Sequence, residues 1–65
     1  MTCIVETHDF HKALSKIHHG IEIFDVTEIT DHQVIIETNF GRFVCESFED
    51  KVSATVYMKV YEVID

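Results

Sequence analysis

Five histidines and two cysteines are the side chains of this sequence best suited to hold a metal or attack a carbonyl. His8 and His11 are three residues apart, a spacing that puts two imidazoles on one side of a helix and forms half of a tetrahedral zinc site. The other half is not apparent. His11 and His18 share a side of the same helix, but two turns separate them, about 10 Å at 1.5 Å per residue, too far to chelate one ion. Cys3 and Cys45 lie far apart in the chain with no Cys-x-x-Cys, and each sits in an apolar run that suits a buried, reduced thiol. A nucleophilic site fares no better. The sequence has no Gly-x-Ser-x-Gly elbow and no glycine-rich phosphate loop. The reading is therefore of a protein that is not an enzyme, with no catalytic residue, no metal ligand and no cofactor assigned.

Acidic residues form the most distinctive pattern. Glu22, Asp25, Glu28 and Asp31 recur at every third position, and Glu37 follows. From Ile17 through Gly41 these five acids are accompanied by no Lys or Arg. Such a surface attracts a basic partner and repels phosphate backbones. Tyr57 and Tyr61 flank Lys59 at alternate positions, and tyrosine offers interfaces a large, rigid, amphipathic ring. The candidate partner-binding residues are Glu22, Asp25, Glu28, Asp31, Glu37, Tyr57 and Tyr61.

The elements that must carry these residues follow from periodicity. Thr2–Glu6 is β-branched and reads as a strand. Thr7 is placed as a helix N-cap, and Phe10, Ala13, Leu14 and Ile17 make one apolar stripe, so His8–His19 reads as a helix ended by Gly20. Ile21–Thr30 reads as a strand with a bulge near Phe24 and Asp25, where the alternation slips. Gln33–Thr38 is a third strand and Arg42–Phe48 a fourth, joined by the loop Asn39–Arg42. That loop length sets Ile36 opposite Cys45 and Val34 opposite Ser47. Lys51–Ile64 alternates as one long last strand. The expected fold is α+β: one helix packed on a mostly antiparallel sheet, in the order β-α-β-β-β-β. Phe10, Leu14 and Ile17 should meet Val52, Val56 or Val60, and Val34 or Ile36. The opposite sheet face would hold Ile35, Val44, Phe48, Tyr57, Tyr61 and Val63, an apolar area that suits association.

The 65 residues make one domain, and at 46% hydrophobic they suffice for a core. A net charge of −7 argues against direct contact with nucleic acid or an anionic membrane. The sequence shows no signal peptide and no membrane-length apolar run, so the expected location is the cytoplasm. The profile as a whole, short, strongly acidic and without catalytic motifs, resembles small acidic phage-encoded inhibitors such as anti-CRISPR and other DNA-mimicking anti-defence proteins. The resemblance implies a stoichiometric inhibitor in a host cytoplasm, occupying the nucleic-acid-binding surface of a larger complex. It carries over no individual residue. The leading expectation is an interaction protein whose acidic face docks on a basic surface of a protein or complex and inhibits it. A small structural or regulatory homodimer, acidic for solubility alone, is the alternative, and a histidine-based metal- or pH-responsive module is the third.

Overall fold

A computed structural model describes residues 2–63. Its elements are β1 (Thr2–Val5), α1 (Phe10–Ile17), β2 (Ile23–Glu28), β3 (Gln33–Thr38), β4 (Gly41–Asp50) and β5 (Thr55–Glu62). All five strands join one sheet in the order β1-β5-β4-β3-β2, with every pairing antiparallel. Strands β2 to β5 form a meander, so β2 ends at one edge. The chain then places β1 beside β5 at the other edge. The connection from β1 to β2 must therefore cross the whole sheet, four strand spacings or about 19 Å.

Helix α1 makes that crossing. Asp9 caps it, its Oδ1 accepting from the His11 amide at 2.9 Å and the Lys12 amide at 3.4 Å. The carboxylate thus meets two amides that would otherwise lack partners, at the positive end of the helix dipole. Thr7, expected as the cap, instead accepts from the Asp9 amide at 3.1 Å, one step before the helix. The helix ends at Ile17 because His18 is extended, and Gly20 then turns the chain at a φ of +79°. The expected span of His8–His19 shortens at both ends.

Ala13 and Leu14 are fully buried, and Phe10 and Ile17 pack at the margins of the core. Beneath them lie Ile36 of β3, Phe43 and Cys45 of β4, and Met58 and Val60 of β5. The helix packs chiefly against β5, and Leu14 is one of the largest fully buried side chains of this cluster.

The β3–β4 hairpin is tighter than expected. Thr38 pairs with Gly41 across a turn at Asn39 and Phe40, so Ile36 faces Phe43 and Val34 faces Cys45. The slip from the expected register is two residues. Because side chains alternate with period two, the apolar set Val34, Ile36, Phe43 and Cys45 stays on one face. Gly41 has a φ of +110°, a conformation that side chains disfavour, which is why glycine closes this turn. The Thr38 hydroxyl donates to the Gly41 carbonyl at 2.8 Å and accepts from the Phe40 amide at 3.0 Å, which satisfies the buried side chain.

Strand β5 is shorter than the alternation suggests. Lys51–Ala54 is a turn in which Asp50 Oδ1 accepts from the Val52 amide at 2.9 Å and the Asp50 carbonyl accepts from the Ala54 amide at 2.7 Å. Val52 is 97% exposed and does not meet the helix. Ile64, the expected last strand residue, lies outside the described residues.

The α+β expectation is also corrected. Strand makes up 55% of the described residues against one eight-residue helix, so this is a sheet-dominated fold with a single helical crossover. The element order β-α-β-β-β-β is the one observed. Helical periodicity was legible, but helix capping, not periodicity, fixes the length.

Leu14→Ala truncates a fully buried core side chain, and it should destabilise the domain by about 2–5 kcal/mol. Urea unfolding followed by circular dichroism measures the change. A loss below about 1 kcal/mol would show that the core does not depend on this contact.

Candidate functional site

The acidic residues do not form a flat face. A strand alternates sides every residue, so a period of three scatters side chains over both. Asp25 pairs with Glu37, which pairs with Arg42, placing all three in one row across the helix-free face. Glu28 pairs with Val34, on the helix side. Glu22 precedes β2, and Asp31 lies in the loop that follows it. All five acids are exposed; Glu22, Asp25, Glu28 and Asp31 follow the β2 edge as a rim, and Glu37 stands one strand inward on β3. Asp25 opposite Glu37 is a like-charge pair, which costs stability. Arg42 lies 3.9 Å from Glu37 and offsets part of that cost.

The rim is positioned by a few polar contacts. The Glu22 amide donates to Asn39 Oδ1 at 2.7 Å, the Asn39 amide donates to the Glu22 carbonyl at 3.2 Å, and Asn39 Nδ2 donates to the Gly20 carbonyl at 3.3 Å. One side chain in the β3–β4 turn thus fixes where the chain leaves the helix and enters β2. The β-bulge lies between Ile23 and Asp25, where the pairing shifts by one residue, and Phe24 sits within it.

Strand β2 is also unusually apolar for an exposed strand. Phe24 is 65% exposed, Ile29 just after it 49% and Val26 39%. The reading of the sequence missed this combination of acidic and exposed apolar side chains on one edge. The available signal was the meander itself: with β2 last in the sheet, a two-turn helix packed chiefly against β5 cannot cover it.

Tyr57 and Tyr61 lie on the helix-free face, four residues apart on β5 and half-buried. Phe48, opposite Tyr57, stacks on it with ring centroids 5.6 Å apart. Lys59 Nζ is 5.9 Å from the centre of the Tyr61 ring, and Lys59 pairs in register with Glu46. Gln33 Nε2 donates to Glu46 Oε2 at 2.7 Å and to the Tyr61 hydroxyl at 3.4 Å. Val44 is buried among these groups although no helix covers it. On the inner strands of this face Glu46 meets Lys59 and Glu37 meets Arg42, whereas Asp25 and Glu28 of β2 meet no Lys or Arg in register. Asp25 and Glu37 share the helix-free face with Tyr57 and Tyr61, whereas Glu28 lies on the helix side and Glu22 and Asp31 flank β2.

The histidines do not converge. His8, His11, His19 and His32 are exposed, while His18 stacks on Phe40 at 4.6 Å and lies 5.5 Å from Phe43. Among the described residues no group of three His, Cys, Asp or Glu could hold a metal ion. No helix among them is long and apolar enough to cross a membrane. No family model, characterised protein or solved structure matches the chain.

The two thiols differ in environment. Cys45 is buried in the core, and burial pushes its thiol up to about 11. Cys3, on edge strand β1, is only partly buried. Thiolate is the reactive form, so Cys45 is doubly protected. Iodoacetamide at pH 8 should alkylate Cys3 in the folded protein and reach Cys45 only in denaturant. Equal labelling rates for the two by peptide mass spectrometry would contradict the packing around Cys45.

Proposed function

We propose that the protein is a non-enzymatic interaction module that docks its acidic β2 rim on a basic surface of a larger protein or complex, of the kind that binds nucleic acid, and blocks it. One observation carries this reading: Glu22, Asp25, Glu28 and Asp31 are all exposed along one sheet edge, in a segment without Lys or Arg. A single-signed rim adds to long-range attraction for a cationic surface and speeds encounter. It also keeps the module itself off phosphate backbones.

A second reading rests on a different surface. Ile4 is 60% exposed on the helix-free face, and Phe48, two strands away on the same face, is also exposed. A homodimer closed over that face would bury both, with Tyr57 and Tyr61 at its centre. Sedimentation at high micromolar concentration decides this reading, and a monomer there removes it.

For the leading reading, a partner isolated on the immobilised protein should associate more slowly as salt rises, because exposed charges are screened beyond about 8 Å at physiological ionic strength. Glu22→Lys combined with Glu28→Lys should slow association far more than it speeds dissociation. The fold should persist, since isolated surface charges contribute little to stability. Nucleic acid should compete for the same partner. Unchanged association rate and salt dependence in the double variant would refute docking through the rim.

A further inference from the structure

The outer side of β2 is an unused hydrogen-bonding edge, and its direction can be worked out. The Ile29 amide donates to the Gln33 carbonyl at 2.9 Å, so position 29 faces β3. Backbone groups in an antiparallel ladder alternate sides along each strand. Thr27 and Asp25, two and four residues back and opposite Ile35 and Glu37, then also direct their backbone groups to β3, while Val26 and Glu28, opposite Ile36 and Val34, fall at the positions between those bonds. Val26 and Glu28 turn their amides and carbonyls outward, where no described strand pairs with them. The bulge at Phe24 interrupts the ladder on the other side.

We propose that this edge takes up an extended basic segment of another protein as a sixth, antiparallel strand. The inference rests on the rim-docking reading above and names the chemistry of its partner. Antiparallel pairing assigns each position. The incoming strand presents residues, in its own N-to-C direction, to Glu28, Thr27, Val26 and Asp25. Cross-strand neighbours on one face interact best when charges are opposite or when both are apolar. The sequence recognised is therefore basic, any residue, apolar, basic. Backbone bonds form at Val26 and Glu28 and supply the ladder, while the side chains select the partner.

Charge decides which strand can bind. Edge strands are open to pairing with any chain, and charges on them restrict that freedom. Here Asp25 and Glu28 are both acidic, so a second copy of β2 would bring like charges together, whereas a lysine-bearing strand relieves the repulsion between Asp25 and Glu37. The exposed Val26 side chain, on the helix side of the sheet beside buried Ile36, supplies the apolar contact for the third position of the segment.

The test uses the intact protein, isotope-labelled, titrated with the peptide acetyl-Thr-Lys-Thr-Val-Lys-Thr-amide and followed by amide resonances. Binding in the millimolar range is expected, with shifts and slowed exchange at Val26 and Glu28. Methylating the peptide nitrogens of its first Lys and its Val keeps every charge but removes the two donors that face β2. This peptide should bind about tenfold more weakly or worse, as expected for two lost hydrogen bonds. Val26→Pro removes one outward amide of the protein without touching the β3 ladder, a position where an edge strand accepts proline. It should weaken the parent peptide to a similar degree. If the methylated peptide binds within threefold of the parent, if the shifts fall away from β2, or if no binding appears, strand addition is overturned. Shifts at the same amides that depend on protein concentration without peptide would assign the edge to a second copy and overturn it equally. A negative peptide result beside a partner that still responds to salt and to the double lysine variant would sink strand addition alone and leave rim docking standing.

Discussion

One two-turn helix has to cross a five-stranded sheet, and most of the structure depends on that mismatch. Eight residues span about 12 Å of helix, while the chain must travel about 19 Å from β1 to β2. The helix packs chiefly against β5, and Leu14 and Ala13 join the core of Ile36, Phe43, Cys45, Met58 and Val60. The irregular segments Glu6–Asp9 and His18–Glu22 cover the remaining distance. The Asp9 cap and the Gly20 turn keep the helix short enough for those segments to reach. Val26, on the same face as buried Ile36, stays exposed because the helix does not extend over it.

The same mismatch leaves the second face without a helix. That face is stabilised by its own side chains: the Phe48–Tyr57 stack, the Gln33–Glu46–Tyr61 hydrogen bonds and the Lys59–Tyr61 contact. Together they bury Val44 without a second layer. Cross-strand pairing balances its charges, with Lys59 beside Glu46 and Arg42 beside Glu37. The acids of β2 have no such partner: Asp25, at the border of this face, meets Glu37, and Glu28 meets Val34.

Asn39 connects these parts. It stands in the β3–β4 turn, yet its side chain and amide bind the backbone at Gly20 and Glu22, the segment that leaves the helix. A hairpin turn thereby sets the entry of an edge strand. The bulge that follows turns β2 so that acidic and apolar side chains share its exposed border.

The sequence by itself determined the element order, the apolar stripe of the helix, the bulge in β2 and the division of each strand into two faces. These follow from local rules: period 3.6, period 2 and a break in alternation. Even a hairpin register wrong by two residues preserved the faces, because two is the period of a strand. Tertiary structure decided what local rules leave open. Thr7 and Asp9 could each have capped the helix, and the geometry of the crossover selected Asp9. Val52 continued the alternation of β5, but the turn bound by Asp50 placed it in solvent. Glu22, Asp25, Glu28 and Asp31 were visible as an acidic run, while their conversion into a rim beside exposed Phe24, Val26 and Ile29 required β2 to lie at the sheet edge. Strand order in a sheet arises from contacts distant in sequence, and no local period encodes it.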